Sequence, residues 1–397
     1  MRIVLNIVLV WCASSCTTPS PKPDPSDAPL QRQALETFDT ALARPALEKT
    51  VTDFAALREA VDGWARAAQG QDAQALTSAK AAFETAFLTW QRVELLQLGP
   101  LGAATQVTAG EGLRDEIYSW PTTNLCRVDS ALVANTTPDD AYFATALVTS
   151  KGLAVLEELL FNQSTANACL PNATINTNGS WAMLAGSPAL EERRKAWALG
   201  VARHLEATAR RARDGWSAPG GFGDKLTQAG AMGSVWRTPK DGLDDVYAGL
   251  FYADRWVKDF KLGAPAGITP ACMAQSCPAL AESPRAGLST RALVENLVMT
   301  RAIFTGSFEQ TSSAVGFDDL LVERGAGALK DEMLQKLDAA VAAARALQRP
   351  VSVAATEDLD GLQALHADVK AFTDLFKSQF VTTLSLKVPR EGAGDND

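Results

Sequence analysis

The chain has 397 residues, and 46 acidic against 37 basic side chains give it a formal net charge of −9 at pH 7. This acidic balance argues against a protein that binds nucleic acid, because phosphate binding needs a basic surface. The length is sufficient for one large hydrophobic core or for two domains of ordinary size.

The N-terminus has the features of a secretion signal. Arg2 is followed by an apolar run over residues 3–11, which is too short to span a bilayer. The sequence Ala-Ser-Ser-Cys that ends at Cys16 resembles a lipobox, in which the cysteine becomes lipidated. We therefore predict a lipoprotein signal peptide over residues 1–16, with an ordinary cleaved secretory signal as the alternative.

The segment after the predicted signal has the composition of a tether. Residues 17–30 contain five prolines and few apolar side chains, which favours an extended chain. Thr17, and not an aspartate, follows Cys16, and lipoproteins of this kind are retained at the outer membrane. The predicted location is therefore the cell envelope, as an outer-membrane lipoprotein that faces the periplasm or the cell surface.

The rest of the chain has the pattern of helices. Apolar residues recur at every third and fourth position, alternating β patterns are absent, and alanine, a strong helix former, is abundant. The segments with this pattern are 34–67, 73–98, 141–161, 187–212, 243–259, 289–304, 329–347 and 357–384. They predict an all-α protein with four main helices on each side of a glycine-rich segment. The predicted parts are an N-terminal bundle over 31–214, an irregular connecting segment over 215–240 and a C-terminal bundle over 241–390.

Cysteine usage agrees with export. If Cys12 is removed with the signal and Cys16 is lipidated, four cysteines remain: Cys126, Cys169, Cys272 and Cys277. An even number in an oxidising compartment predicts two disulfides, for which three pairings are open. A bond between Cys272 and Cys277 would close a small loop between two prolines and leave Cys126 to pair with Cys169. A zinc site is disfavoured because the spacing is not that of a zinc finger.

Residues 151–161 form the most informative segment. Glu157 shares a helix face with Leu153 and Leu160. A carboxylate that points at a core needs a metal, a cation or a hydrogen-bond network as its partner. Ala154, one turn before Glu157, offers no ligand atom. An ion pair with an arginine or lysine of a neighbouring helix is the alternative to a ligand role.

This segment resembles the Gly-x-His-x-x-Glu helix of the imelysin family, which are secreted or lipid-anchored helical proteins of bacteria. They are linked to iron uptake and were once described as metallopeptidases. Gly152 and Glu157 match the motif, and Ala154 stands in place of its histidine. Further segments resemble family elements in the same order along the chain: 90–94, 98–100, 118–121, 261–265, 282–284, Asn296 and 304–306.

The resemblance implies two four-helix bundles related by an old duplication, and it places Glu94 near the same site as Glu157. Arg114 and Trp120 lie around the Trp-Pro turn that also resembles the family. The predicted ligand-binding residues are therefore Glu157, Glu94, Arg114 and Trp120. An ion pair with Arg92 is the alternative for Glu94, and simple packing is the alternative for Trp120.

Histidine usage argues against zinc peptidase chemistry. The chain has two histidines, His204 and His366, and neither lies in a His-Glu-x-x-His pattern. A site built from carboxylates would favour hard cations such as Ca²⁺ or Fe³⁺. Glu157 is the candidate metal ligand, with iron or calcium as the candidate ion.

The leading hypothesis is an imelysin-like envelope lipoprotein that binds a ligand in the uptake of iron or another metal ion and has no peptidase activity. Its expected partners are a metal ion or small ligand and an uptake protein of the outer membrane or periplasm, with membrane contact only through the lipid. One alternative is a carboxylate-dependent peptidase or hydrolase at a cleft between the bundles. Another is a helical scaffold for an outer-membrane partner.

Overall fold

The structure is a computed structural model that describes residues 27–68, 71–104, 107–309 and 313–389. The predicted signal peptide, the predicted lipidation site at Cys16 and most of the predicted tether lie outside the described residues. The end of that tether is a correction: residues 28–30 belong to helix α1 (Ala28–Thr37), which has Pro29 in its first turn. A proline is tolerated there because the first N–H groups of a helix have no intrahelical partner.

All regular structure in the described residues is helical, which confirms the all-α prediction. The helices of the first half after α1 are α2 (Arg44–Ala65), α3 (Asp72–Val93), α4 (Leu113–Ile117), α5 (Leu125–Val133), α6 (Asp140–Thr145), α7 (Leu153–Phe161), α8 (Thr174–Thr177), α9 (Ser180–Ala185) and α10 (Ala189–Ser217). Those of the second half are α11 (Phe222–Thr227), α12 (Pro239–Tyr252), α13 (Ser289–Thr305), α14 (Phe317–Glu323), α15 (Gly327–Ala346), α16 (Val351–Glu357), α17 (Leu359–Leu375) and α18 (Val381–Thr383). Three π-helical segments continue α-helices or precede them: Phe38–Ala43, Ala253–Gly263 and Phe376–Phe380.

The long helices form two bundles. In the first half α2, α3, α7 and α10 pack together, and in the second half α13, α15 and α17 pack with the π-helical segment Ala253–Gly263. The bundles join where α3 packs along α13. None of the helices in the described residues is both long and apolar enough to cross a membrane.

The segments near the bundle join differ from the predicted boundaries. The segment 215–240, predicted to be irregular, contains the end of α10 and all of α11. Phe222 anchors α11, because its ring lies 4.9 Å from that of Trp216 and 5.7 Å from that of Trp236. Helix α1 packs against α12 and α14 of the second half, so it connects the two bundles rather than lying within the first.

Both predicted disulfides are present in the described residues. Cys126 at the start of α5 is bonded to Cys169, and Cys272 is bonded to Cys277. The first bond ties α5 to the irregular segment that follows α7, and the second closes a short surface loop. The pairing agrees with the small-loop alternative that the sequence left open.

Candidate ligand site

A lysine surrounded by four oxygen atoms lies at the join of the bundles. Lys261 Nζ lies 2.8 Å from Glu94 Oε2, 3.0 Å from Glu282 Oε1, 2.6 Å from Gln91 Oε1 and 2.9 Å from Asn296 Oδ1. Each of the five residues is at most 1% exposed. We call these residues the Lys261 cluster. Buried charges of this kind are tolerated only when they are paired and hydrogen-bonded.

Four separate elements of the chain position this cluster. Gln91 and Glu94 lie at the end of α3, and Lys261 lies in the π-helical segment that continues α12. Asn296 on α13 donates a hydrogen bond of 2.6 Å to the backbone carbonyl of Gln91, which holds α13 against α3. Glu282 comes from the irregular segment before α13. Single π-helical insertions inside helices are frequent at functional sites.

Arg114 and two aromatic residues border the cluster. The Tyr252 hydroxyl donates a hydrogen bond of 2.8 Å to Glu94 Oε2, and Arg114 Nη2 lies 3.6 Å from Glu94 Oε1. The guanidinium of Arg114 lies 5.2 Å from the centre of the Trp256 ring, which is partly exposed. The structure thus brings together two of the predicted ligand-binding residues, Glu94 and Arg114.

The charges of the cluster change the pKa values of its members. Burial raises the pKa of Glu282, Lys261 lowers it and Glu94 raises it, with a net value of about 7. Burial lowers the pKa of Lys261, but the charges of Glu282 and Glu94 outweigh this effect and raise the pKa overall. Lys261 therefore stays charged, while Glu282 exchanges a proton near neutral pH.

Glu157 points inward as predicted, but its partner is a backbone segment. Its Oε1 accepts hydrogen bonds of 2.8 Å from the N–H groups of both Arg285 and Ala286, and the side chain is 2% exposed. Burial raises the pKa of Glu157, and these N–H donors oppose the shift. The side chain of Arg285 pairs with Glu158 and not with Glu157, since Arg285 Nε lies 3.0 Å from Glu158 Oε2.

The residues present do not fit a metal ion at Glu157. Its Oε1 already accepts two hydrogen bonds, and Ala154 supplies no donor. Between Glu94 and Glu282, the ammonium of Lys261 occupies the place that a cation would take. No group of three or more histidine, cysteine, aspartate or glutamate side chains in the described part of the chain has the arrangement of a metal site. The hypothesis that Glu157 is a metal ligand has no geometric support in these residues.

The two histidines lie in the helix bundles. His204 Nε2 lies 3.2 Å from Glu116 Oε2, and its ring stacks on that of Phe143 with the centroids 4.9 Å apart. His366 is buried on α17. Neither histidine is among the residues of the Lys261 cluster.

Trp120 is partly buried and packs against the hydrophobic core, at a turn whose Trp120–Pro121 bond is cis. Its neighbour Tyr118 is the residue of this turn that reaches the cluster. Burial raises the pKa of the fully buried Tyr118 hydroxyl well above its usual value, and the charges of Glu282, Glu157 and Glu94 raise it further. The structure therefore points to Tyr118 rather than Trp120 as a site residue.

Two buried polar atoms beside the cluster lack a hydrogen bond within the described residues. Glu94 Oε1 and Arg114 Nε make no hydrogen bond within the described residues, whereas Tyr118 shares a hydrogen bond with Glu282, and Ser283 shares one with Glu157. Buried polar groups in proteins are normally paired with protein, water or a ligand. Glu94 Oε1 is an acceptor and Arg114 Nε is a donor.

The sequence predicts no site role for the second-half residues of the cluster. Lys261, Glu282 and Asn296 lie in segments that resemble the family, but no ligand role was predicted for them. Their signal is a charged or amide side chain in a helix or turn whose neighbours are apolar. That signal does not identify the partner, because Gln91 and Lys261 are 170 positions apart.

Comparison with known proteins gives the family. The family model described as Imelysin (Peptidase M75) matches residues 43–379. Two solved structures have similar folds. An imelysin-like protein from Psychrobacter arcticum has 17% identity and a TM-score of 0.68, with 91% of this chain and 98% of that chain covered. A putative iron-regulated protein A precursor from Parabacteroides distasonis has 16% identity and a TM-score of 0.66, with 92% and 97% covered. No curated protein matches the sequence. Since the family model spans most of its length, this chain belongs to the imelysin family.

Proposed function

We propose that this imelysin-family protein binds a small polar ligand at the Lys261 cluster, in the uptake of iron or another metal ion at the cell envelope, and has no peptidase activity. The observation that supports the proposal is the buried Lys261 cluster, next to which Glu94 Oε1 and Arg114 Nε make no hydrogen bond within the described residues. The name of the iron-regulated relative from Parabacteroides distasonis supports a link to iron.

The charges at the site indicate what the ligand offers. Two buried carboxylates, Glu94 and Glu282, contact the ammonium of Lys261, and the guanidinium of Arg114 lies 3.6 Å from Glu94 Oε1. A ligand that donates to Glu94 Oε1 and accepts from Arg114 Nε would pair these two atoms. Such a molecule has both donor and acceptor groups, as a hydroxy acid or an amino acid does.

Calorimetric titration of the soluble chain from residue 27 onwards tests the proposal. The probes are ferric citrate, citrate alone and a set of free amino acids. We expect at least one probe to bind, and Glu94→Gln to weaken that binding at least tenfold because it removes a charged acceptor from the site. Glu84→Gln is the matched control, since Glu84 lies on the same helix but pairs with Arg291 at the surface. Equal affinity in both variants, or no binding of any probe, would contradict the proposal.

Two features of the motif residues support a lack of peptidase activity. Glu157 Oε1 is held by two backbone N–H groups, and Ala154 replaces the histidine of the motif.

A second candidate function, a carboxylate-dependent hydrolase, is favoured by one observation: the pKa of Glu282 is about 7, which suits a general acid or base at neutral pH. Turnover of casein or an envelope peptide that disappears in Glu282→Gln would establish the hydrolase.

The envelope location is part of the proposal and rests on the N-terminal sequence. Metabolic labelling with a radioactive fatty acid tests it, and we expect label in the full-length chain but not in Cys16→Ala. Unlabelled full-length protein would remove the lipid anchor from the proposal. A stoichiometric partner that co-purifies with ligand-free protein would favour the scaffold hypothesis instead.

A further inference from the structure

We infer that Glu157 is a positioning residue: by accepting two backbone hydrogen bonds, it holds the segment 281–287 in the conformation that directs Glu282 into the Lys261 cluster. The motif carboxylate would then act on the site through the backbone of another segment. This inference rests on the proposed function only in treating the Lys261 cluster as a ligand site.

The hydrogen bonds of Glu157 link the two halves of the chain. Glu157 lies on α7 of the first bundle, and its Oε1 accepts from Arg285 and Ala286, which are 128 and 129 positions further along. Both bonds measure 2.8 Å and converge on one oxygen atom. A charged acceptor strengthens hydrogen bonds from N–H groups, particularly when burial excludes water.

The segment that Glu157 holds consists of bends and turns and not of helix. It lies between the short helical turn Pro278–Leu280 and α13, and its residue Ser283 has a φ angle of +47°. An L-residue with positive φ is strained and persists only when its surroundings hold it in place. Within the segment, the N–H of Gly287 donates to the carbonyl of Ser283 at 2.9 Å, which forms a turn.

The exposure of the side chains changes abruptly along this turn. Glu282 and Ser283 are each 1% exposed, whereas Pro284 and Arg285 are exposed at the surface. The chain therefore dips into the interior at Glu282 and returns to the surface within two residues. Glu157 fastens the returning part at Arg285 and Ala286, so loss of these bonds would free Glu282 to leave the cluster.

The charged and titratable groups that face Glu282 come from several elements. They are Lys261 of the π-helical segment, Glu94 at the end of α3 and Tyr118 after α4, and Tyr252 of α12 adds a contact to Glu94. In this setting the pKa of Glu282 is about 7, against an ordinary value of 4.5. Its titration therefore reports whether Glu282 occupies the cluster, and no ligand is needed to measure it.

The test is a set of double-mutant cycles in which the unfolding free energy is measured by urea denaturation from pH 5 to pH 8. Glu282→Gln is introduced into the Glu157→Gln and Glu157→Ala backgrounds. Glutamine keeps a carbonyl acceptor for the two N–H groups, and alanine does not. Both backgrounds lack the titration of Glu157. The pH-dependent effect of Glu282→Gln on the unfolding free energy therefore reports on Glu282 in each background.

We expect Glu282→Gln to change the pH dependence of stability in the Glu157→Gln background and to have no such effect in the Glu157→Ala background. Glu157→Asp, which keeps the charge but is one carbon shorter, should behave like Glu157→Ala; it also serves if the alanine variant does not fold. Glu84→Gln, which removes a carboxylate that pairs with Arg291 at the surface, is the control and should leave the effect of Glu282→Gln unchanged. An equal effect of Glu282→Gln in all backgrounds would overturn the inference. Because ligand is absent throughout, this result is independent of whether any ligand binds.

Discussion

Lys261 supplies the positive charge that balances the buried carboxylates where the two bundles join. Its ammonium contacts Glu94 and Glu282 and also the side-chain oxygens of Gln91 and Asn296. A lysine ammonium has three donors, so four oxygens within 3.0 Å leave none of them without an acceptor. The other cation that the described residues place beside these carboxylates is more distant, since Arg114 Nη2 is 3.6 Å from Glu94 Oε1.

Replacing this lysine removes the charge but not the carboxylates that need it. We expect Lys261→Met to lower the unfolding free energy at pH 7 by about 3–5 kcal/mol, which is typical when one partner of a buried ion pair is removed. Urea denaturation measures the change. Lys336→Met is the control, because Lys336 pairs with Glu332 at the surface at 3.6 Å and should cost less than about 1 kcal/mol. Similar losses in the two variants would contradict the central role of Lys261.

Glu282 makes the stability of the protein depend on pH. Its pKa is about 7 in the folded chain and near 4.5 when unfolded, so between these values the folded state binds the extra proton. This contribution is complete below pH 4.5 and is lost as the pH rises through about 7. Glu282→Gln keeps the neutral form, so its stability relative to wild type should increase from pH 5 to pH 8, at up to about 1.4 kcal/mol per pH unit. Denaturation at several pH values measures this trend, and a constant difference would contradict it.

The sequence predicts individual site residues better than it predicts their partners. The apolar stripe of α7 indicates that Glu157 points inward, and the structure agrees. The same stripe contains no information on Arg285, because a backbone N–H group has no sequence signature. Trp120 was assigned to the site from its turn, but burial and charge favour its neighbour Tyr118. Resemblance places a turn correctly and does not decide which side chain of the turn faces the interior.

At the scale of elements, Gly152 determines how α7 begins. It has a φ angle of +88°, and a Cβ atom built on it would lie 2.5 Å from the backbone oxygen of Ile117. The start of α7 therefore packs directly on the end of α4, just before Tyr118. The glycine of the helical motif is required for backbone contact, independently of any ligand.

Two glycine variants separate these effects. Gly112 has a φ angle of +69° and no atom within 4 Å of a built Cβ, so Gly112→Ala should cost only the strain of about 1–2 kcal/mol. We expect Gly152→Ala to cost about 3 kcal/mol or more, because the clash adds to the same strain. Thermal or urea unfolding of the two variants measures the difference. Equal costs would show that α4 and α7 separate easily.

The helices themselves follow from apolar spacing, but their irregularities do not. The predicted segment 243–259 corresponds to α12 and part of the π-helical segment Ala253–Gly263. One extra residue in a turn changes the face on which Lys261 lies, and the apolar spacing before it contains no mark of that insertion. The position of α1 is also unpredictable, because Leu35 is fully buried within the core while the helix packs on elements more than 200 positions away.

At the scale of the whole molecule, the two bundles share one interior polar network. Gln91 and Glu94 of the first bundle have their partners on Lys261, Glu282 and Asn296 of the second. Ion pairs at the rim, such as Arg92 with Glu295 at 2.6 Å, add contacts along the same helices. Separating the bundles would expose these polar groups without their partners and leave apolar surfaces of α3 and α13 in water.

We therefore expect the chain to unfold as one unit in spite of its two bundles. Scanning calorimetry should show a single transition whose calorimetric and van't Hoff enthalpies agree. Hydrogen exchange then locates the coupling: Lys261→Met should reduce protection equally in α2 and in α15, which lie in different bundles and contact neither Lys261 nor each other as main packing partners. Lys336→Met, on α15 itself, should change neither. Two calorimetric transitions, or loss of protection confined to the second bundle, would mean that the bundles are independent and that the cluster only fastens them together.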